Sequence, residues 1–130
     1  MKRFVLLLVA AVLAGGALAA QPQLEAKEAY RLGLMHRHGT GVPQDAARAA
    51  QLMTVAAQGQ VAAAMFTLSN MLAAGEGVTR DALAARRWLE DAAALGYPAA
   101  LQQLALTEPD PRKAELLMRQ AAHALQHRER

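Results

Sequence analysis

Gly39-Thr40-Gly41-Val42-Pro43-Gln44-Asp45-Ala46 returns as Gly75-Glu76-Gly77-Val78-Thr79-Arg80-Asp81-Ala82, a shift of 36 residues in a chain of 130. A period of that length is typical of stacked helical repeats. The register holds on both sides of the loop: Tyr30 pairs with Phe66, Leu32 with Leu68, Met35 with Met71, Ala49 with Ala85, Leu52 with Trp88, and Ala56-Ala57 with Ala92-Ala93. One irregularity is visible. Gly59 and Gly96 lie 37 residues apart, which predicts that the turn between successive copies slips by one residue.

Each copy reads as two helices around the glycine turn. In copy two, Met65, Leu68 and Leu72 fall at helical spacing before the turn, and Ala82, Ala85, Trp88, Leu89, Ala92 and Ala93 do so after it. Gly75 is suited to ending the first helix in the left-handed conformation, Val78 to tucking under the turn, and Asp81 to capping the first amides of the next helix. Copy one repeats this with Gly39, Val42 and Asp45. The glycines do not form a phosphate loop, because Gln44 and Arg80 stand where a third glycine is needed and no strand precedes them.

A third, abbreviated copy follows. Ala100 and Leu104 match Ala64 and Leu68, Asp110-Pro111 replaces the loop as N-cap and first helical residue, and Ala114, Leu117, Met118, Ala121, Ala122 and Leu125 continue an apolar stripe. Its shortened loop and polar end, Gln126 to Arg130, suit a terminal cap. The expected helices lie near 24–38, 45–58, 60–74, 81–95, 97–107 and 111–126, with no strand and with Trp88 in the core.

The first nineteen residues differ from the rest: Lys2 and Arg3 lead into an apolar stretch from Phe4 to Ala14, then small residues ending Ala17-Leu18-Ala19. This is the pattern of a secretory signal peptide, short for a membrane span, with cleavage expected after Ala19 and a mature chain beginning at Ala20. The alternative is an uncleaved anchor. No cysteine follows to carry a lipid. Cleavage leaves 111 residues, enough for one core, with twelve basic against eleven acidic side chains and a formal charge of +1. Near-neutrality, with Trp88, Tyr30, Tyr97 and Phe66 as its aromatics, argues against nucleic-acid binding, which uses basic stripes and stacking platforms. Absence of cysteine excludes a disulfide-stapled miniature, and the alanine-rich apolar share favours closely packed helices. The organisation expected is a signal peptide at 1–19, a lead-in at 20–27, a repeat domain at 28–126 with units near 28–63, 64–99 and 100–126, and a polar tail at 127–130.

The pattern resembles the Sel-one-like repeat family, relatives of the tetratricopeptide repeat. Leu32-Gly33, Gly39 to Asp45 and Ala56-Ala57 carry the likeness in copy one; Leu68, Gly75 to Asp81, Trp88, Ala92-Ala93 and Gly96 carry it in copy two. Departures are Ser69 for the usual glycine, His36 and Leu72 at a usual tyrosine position, and Gly59 one residue early. The resemblance implies a right-handed α/α superhelix of two full repeats and one abbreviated capping repeat. It further implies an adaptor whose partners lie along the first, or A, helix of each unit, with no catalytic residues. Some exported relatives are linked to cell-wall-related compounds, but their paired cysteines are absent here.

Candidate chemistry is sparse. Ser69 is the single serine, at a helix-packing position with no triad around it. His36 and His38, two apart, fall on different helix faces; His123 and His127, four apart, share one but lack further ligands and read as solvated. Asp45, Asp81 and Asp110 are explained by capping, and Glu90-Asp91 by a solvated face. No cofactor or metal is expected.

What remains is a second stripe on the A helices. The core face of the first is accounted for by Ala29, Leu32, Gly33 and His36, which leaves Tyr30, Leu34 and Arg37 together on another face. Phe66 and Asn70 repeat it one unit on, and Gln102 and Leu106 in the third. Two readings stay open: partial burial between neighbouring helices, or a partner-binding groove with aromatic and arginine anchors. The function expected is an exported protein-interaction module or adaptor that binds a peptide or partner protein through Tyr30, Leu34, Arg37, Phe66, Asn70 and Gln102. The alternatives are a small envelope enzyme or ligand-binding protein acting on cell-wall-related material, and an accessory subunit stable only in an oligomer.

Overall fold

The computed structural model describes residues 21–128. The expected signal peptide at 1–19, Ala20, and the last two residues of the tail lie outside these residues. Six helices follow in order: α1 (Gln21–His38), α2 (Ala46–Gln58), α3 (Ala62–Ala74), α4 (Ala82–Ala94), α5 (Pro98–Thr107) and α6 (Pro111–Arg128). There is no strand among the described residues. The expected boundaries hold to within a few residues, and α1 extends back to Gln21 through residues read as a lead-in.

The glycine turns act as their sequence predicts. Gly39 and Gly75 adopt φ of 69° and 71°, and the amides after them, Thr40 and Glu76, donate to the Met35 and Met71 carbonyls at 3.0 and 2.9 Å. Asp45 and Asp81 then cap α2 and α4, their carboxylates accepting from the Arg48 and Ala84 amides at 2.9 and 3.0 Å. Asp110 accepts from the Arg112 amide at 2.9 Å at the start of α6. Each cap satisfies an amide that the first helical turn leaves without an internal partner.

The expected one-residue slip between copies does not occur. The left-handed residue of the first B-to-A turn is Gln60, at φ 66°, and that of the second is Gly96, at φ 78°; these lie 36 residues apart, in register. Their hydrogen bonds match as well: Gln60 donates to Ala57 and Val61 to Ala56, as Gly96 does to Ala93 and Tyr97 to Ala92, all at 2.9 to 3.1 Å. Gly59 has a different cause. A Cβ there would stand 2.3 Å from the Cβ of buried Ala26, so Gly59 is needed for the close approach of α1 rather than for turning.

Helices pair within a unit, α1 with α2, α3 with α4 and α5 with α6, and each second helix then packs on the first helix of the next unit. The result is a right-handed α/α superhelix. Ala49, Ala56, Ala57, Ala64, Ala92 and Ala100 are wholly buried, with Met53 and Met71 filling the space between them. Small side chains let helix axes approach closely, and methionine adapts to the irregular gaps.

Two positions refine the expected core. Trp88 packs against the core but is half-buried, and it lines a surface depression with Ala57, Met65 and Leu95. Its counterparts Leu52 and Leu117 are also half-buried, so this is a boundary position in all three units. Ser69 occupies the place of Gly33, where a Cβ would lie 2.9 Å from Met53 Cε and 3.5 Å from the Ala49 carbonyl oxygen. In the second unit the buried Ser69 hydroxyl donates to the matching Ala85 carbonyl at 2.7 Å, tying α3 to α4.

Candidate partner-binding surface

The stripe predicted on the A helices follows the boundary between successive units. Tyr30 and Leu34 on α1 and Phe66 on α3 are half-buried and packed against the core; Asn70 is half-buried and Gln102 on α5 is exposed. The Phe66 ring meets Tyr97, just before α5, with centroids 5.4 Å apart and planes tilted by 48°. That tilted contact is one of the arrangements aromatic quadrupoles favour. Tyr30 lies near Thr67 and Tyr97. Partial burial between neighbouring helices thus holds for Tyr30, Leu34 and Phe66, which also keep part of their surface open.

Arg37 has a definite partner. Its Nε and Nη2 donate to the two carboxylate oxygens of Glu76, both at 3.0 Å, with side chains 26% and 35% exposed. The bidentate pair joins the end of α1 to the turn after α3. The Arg37 hydrogen bonds hold the Glu76 carboxyl below its ordinary value; burial opposes this, while the charges of Arg37 and His38 reinforce it. Arg37 is thus a clamp between the first two units. Burial pushes the Tyr30 phenol above its ordinary value, with Tyr97 adding to the shift and Thr67, Arg128 and Arg37 pulling against it. The phenol stays neutral and available as a hydrogen-bond donor at physiological pH.

Sequence reasoning missed Glu76, Thr67 and Tyr97. The signal for Glu76 was present: it is the variable residue of a Gly-x-Gly turn, charged where copy one has Thr40. Tyr97 was legible only as an aromatic beside a helix start, because its contact with Phe66 depends on how one unit stacks on the next.

The other candidates fall elsewhere. The Ser69 hydroxyl is buried and engaged with a backbone carbonyl, which leaves no role as a nucleophile. His36 is half-buried with its Nδ1 unpartnered, and His38 is exposed. His123 and His127 share a face, ring centroids 4.2 Å apart, and are exposed as their spacing suggested. No cluster of three or more metal-ligating side chains occurs among the described residues. A depression of about 570 Å³ lies between the end of α4 and α6, at Ala94, Gly96, Arg119 and His123, and none of the six stripe residues lines it. No helix among the described residues is long and apolar enough to cross a membrane.

Comparison with known proteins agrees with this architecture. The Sel1 repeat family profile matches residues 29–60, 62–97 and 100–124, the three units just described. The chain is similar to a Sel1 repeat protein from Oxalobacter formigenes, with 25% identity and a TM-score of 0.73 over 76% of this chain and 43% of that one. It is also similar to a protective antigen of uropathogenic Escherichia coli displaying an SLR fold, with 26% identity and a TM-score of 0.68 over 75% of this chain and 22% of that one. The chain thus spans less than half the length of either solved relative. No curated protein matches it. Three matched units in register, built from capped helix pairs that stack through alanine-lined faces, place the chain in the Sel1 repeat family.

Proposed function

We propose that this protein is an exported protein-interaction module that holds a peptide segment or a single helix along the seam of its A helices. Tyr30, Leu34, Phe66, Asn70 and Gln102 form the contact surface, and the Arg37–Glu76 pair fixes the stagger of the first two units beneath it. The observation that carries this reading is the chemical mixture along one boundary: Tyr30, Leu34 and Phe66, partly open and anchored from below by the core, beside the amides of half-buried Asn70 and exposed Gln102. Pre-anchored aromatic groups lose little entropy on binding, which is why such residues recur as interface anchors.

The opposite side supports the choice. Arg48, Gln51, Arg86 and Glu90 on α2 and α4 are exposed and satisfy one another, Arg48 with Gln51 at 3.3 Å and Arg86 with Glu90 at 2.7 Å, as an ordinary solvated face does. A seam spanning fewer than three full units is small, so the fitting ligand is an extended segment or one helix and the affinity is modest. Export rests on residues 1–19, and mass spectrometry of the protein recovered from the cell envelope tests it: a mature chain starting at Ala20 is expected, and retention of Met1 to Ala19 in membranes would replace export with anchoring. Binding is tested by placing a photo-crosslinking residue at Asn70, at Gln102 or, as control, at Gln51. Shared adducts from Asn70 and Gln102 are expected, whereas adducts from Gln51 alone would move the site to the other face.

A further inference from the structure

The two junctions between units carry matching depressions, and the second is built differently from the first. The first, of about 340 Å³, lies between the end of α2, α3 and α4, with Ala57, Gln60, Met65 and Trp88 among its lining residues. The second, of about 570 Å³, lies one unit on, where Ala93, Gly96 and Leu101 take the places of Ala57, Gln60 and Met65. Both share an apolar floor, since Met65 and Leu101 are buried. Counted from the capping aspartates, Asp81 and Asp110, the walls differ in size. Seven residues after the cap, Trp88 is replaced by Leu117, and fourteen after it Leu95 is replaced by Ala124. Gln60 gives way to Gly96, where an added Cβ would meet nothing within 4 Å, so three large side chains become small at one place. The space that the indole takes at the first junction is left open at the second.

The charge reverses as well. Nine, ten and thirteen residues after the cap, Glu90, Asp91 and Ala94 become Arg119, Gln120 and His123. The ion pair on the helix surface is turned round with them: Arg86–Glu90 becomes Glu115–Arg119, so that Arg119 and not its acidic partner lines the second depression, whereas Asp91 lines the first. Arg119 donates to Glu115 through Nη2, and no other described residue takes up its remaining N–H groups. His123, held edge-on to His127, adds a ring N–H, and Gln120 adds an amide. An apolar recess of several hundred Å³ with a few convergent donors has the form of a small-ligand site.

We infer that the second depression binds a small aromatic carboxylate, its ring lying over Ala93 and Leu101 and its carboxylate accepting from Arg119 and His123. The ring would take the place that Trp88 holds beside Ala57 and Met65 at the first junction. A guanidinium presents its N–H groups as a planar fork that matches a carboxylate, which favours this anion over a neutral ligand of the same shape. The first depression, with Asp91 on its wall and Glu90 beside it, repels the same anion and serves as an internal control. None of the six stripe residues lines the site, so it stands whether or not the seam binds a partner.

The test is a titration of the isotope-labelled protein, as the cell processes it, with indole-3-acetate, followed by backbone amide chemical shifts. Saturable shifts at Ala94, Gly96 and Ala124 are expected, with a dissociation constant below about 1 mM and no matching shifts at Gln58 and Gln60. Arg119→Gln and His123→Gln, both on exposed side chains, should each weaken binding at least about fivefold, as should replacing the probe by neutral indole-3-acetamide. Leu117→Trp restores the ring of the first junction and should abolish the shifts while the protein still melts cooperatively; Ala124→Leu, which restores the smaller side chain, should do the same. Absence of saturable shifts at Gly96 and Ala124 up to about 10 mM probe would overturn the proposal. So would equal binding of the neutral amide, or binding that persists in both Leu117→Trp and Ala124→Leu.

Discussion

Substituting alanine for Gly41 and for Gly77 makes the same chemical change at matched positions of two units, with unequal expected cost. Both glycines are left-handed, at φ 74° and 67°, so a side chain at either is strained by about 1–2 kcal/mol. Around Gly41, a Cβ meets only Met35 Cε at 3.5 Å, an ordinary contact with a flexible side chain. Around Gly77, it meets the backbone of the preceding unit: the Ala46 carbonyl oxygen at 2.1 Å, its carbon at 2.2 Å and the Ala47 nitrogen at 2.7 Å. That backbone opens a capped helix and cannot rotate aside, so the units must part. Overpacking of this kind costs about 1–3 kcal/mol more. Gly41→Ala is therefore expected to lose about 1–2 kcal/mol and Gly77→Ala about 2–5 kcal/mol. At this size each kcal/mol lowers the melting temperature by about 4–6 °C. Urea unfolding followed by helical circular dichroism, with thermal melts as a second probe, separates the two. Equal losses would refute the claim that the second loop is wedged against the first unit.

The turn between units makes its own prediction: Gln60→Gly relieves left-handed strain and should stabilise by about 0.5–1 kcal/mol, whereas Gly59→Ala, one residue earlier, should destabilise by about 1–3 kcal/mol through its overlap with Ala26; the same unfolding curves decide both. Trp88→Ala is expected to cost about 2–3 kcal/mol, below the 3–5 typical of a buried tryptophan, because the ring is only half-buried. The Arg37–Glu76 pair predicts a pH dependence: the folded Glu76 pKa lies below the unfolded value near 4.5, so its contribution is full above that value and disappears as pH falls through the folded one. Partial exposure limits it to about 1 kcal/mol or less, and the stability gap between the parent protein and Glu76→Gln should close on acidification. A gap that persists under acid would mean the pair acts through packing instead of charge.

The architecture was legible because it is periodic. A 36-residue echo, a capping aspartate in each unit and apolar residues at helical spacing are local signals, and the structure returns them as helices, turns and caps within a few residues of the expected ends. The errors arose where one unit touches another. Gly59 looks like a displaced turn glycine, yet it answers to Ala26 on a helix more than thirty residues earlier. Trp88 reads as core from its spacing, but spacing gives direction and not depth, and a boundary position leaves part of so large a ring in water. The candidate surface was half legible for the same reason: the stripe of Tyr30, Leu34, Phe66 and Asn70 follows from helical geometry, while the engagement of Arg37 by Glu76 and of Phe66 by Tyr97 is set by stacking.

The central claim is that partners bind along the A-helix seam, and its most direct test is a calorimetric titration of a crosslinked partner, once identified, against seam and control variants that remain folded. Tyr30→Ala and Asn70→Ala are each expected to weaken binding by more than about 1 kcal/mol, roughly fivefold or more in dissociation constant. Arg86→Ala combined with Glu90→Ala, on the solvated face of α4, should leave it unchanged. Binding that survives both seam substitutions but fails in the α4 double variant would contradict the account and move the site to the opposite side of the superhelix.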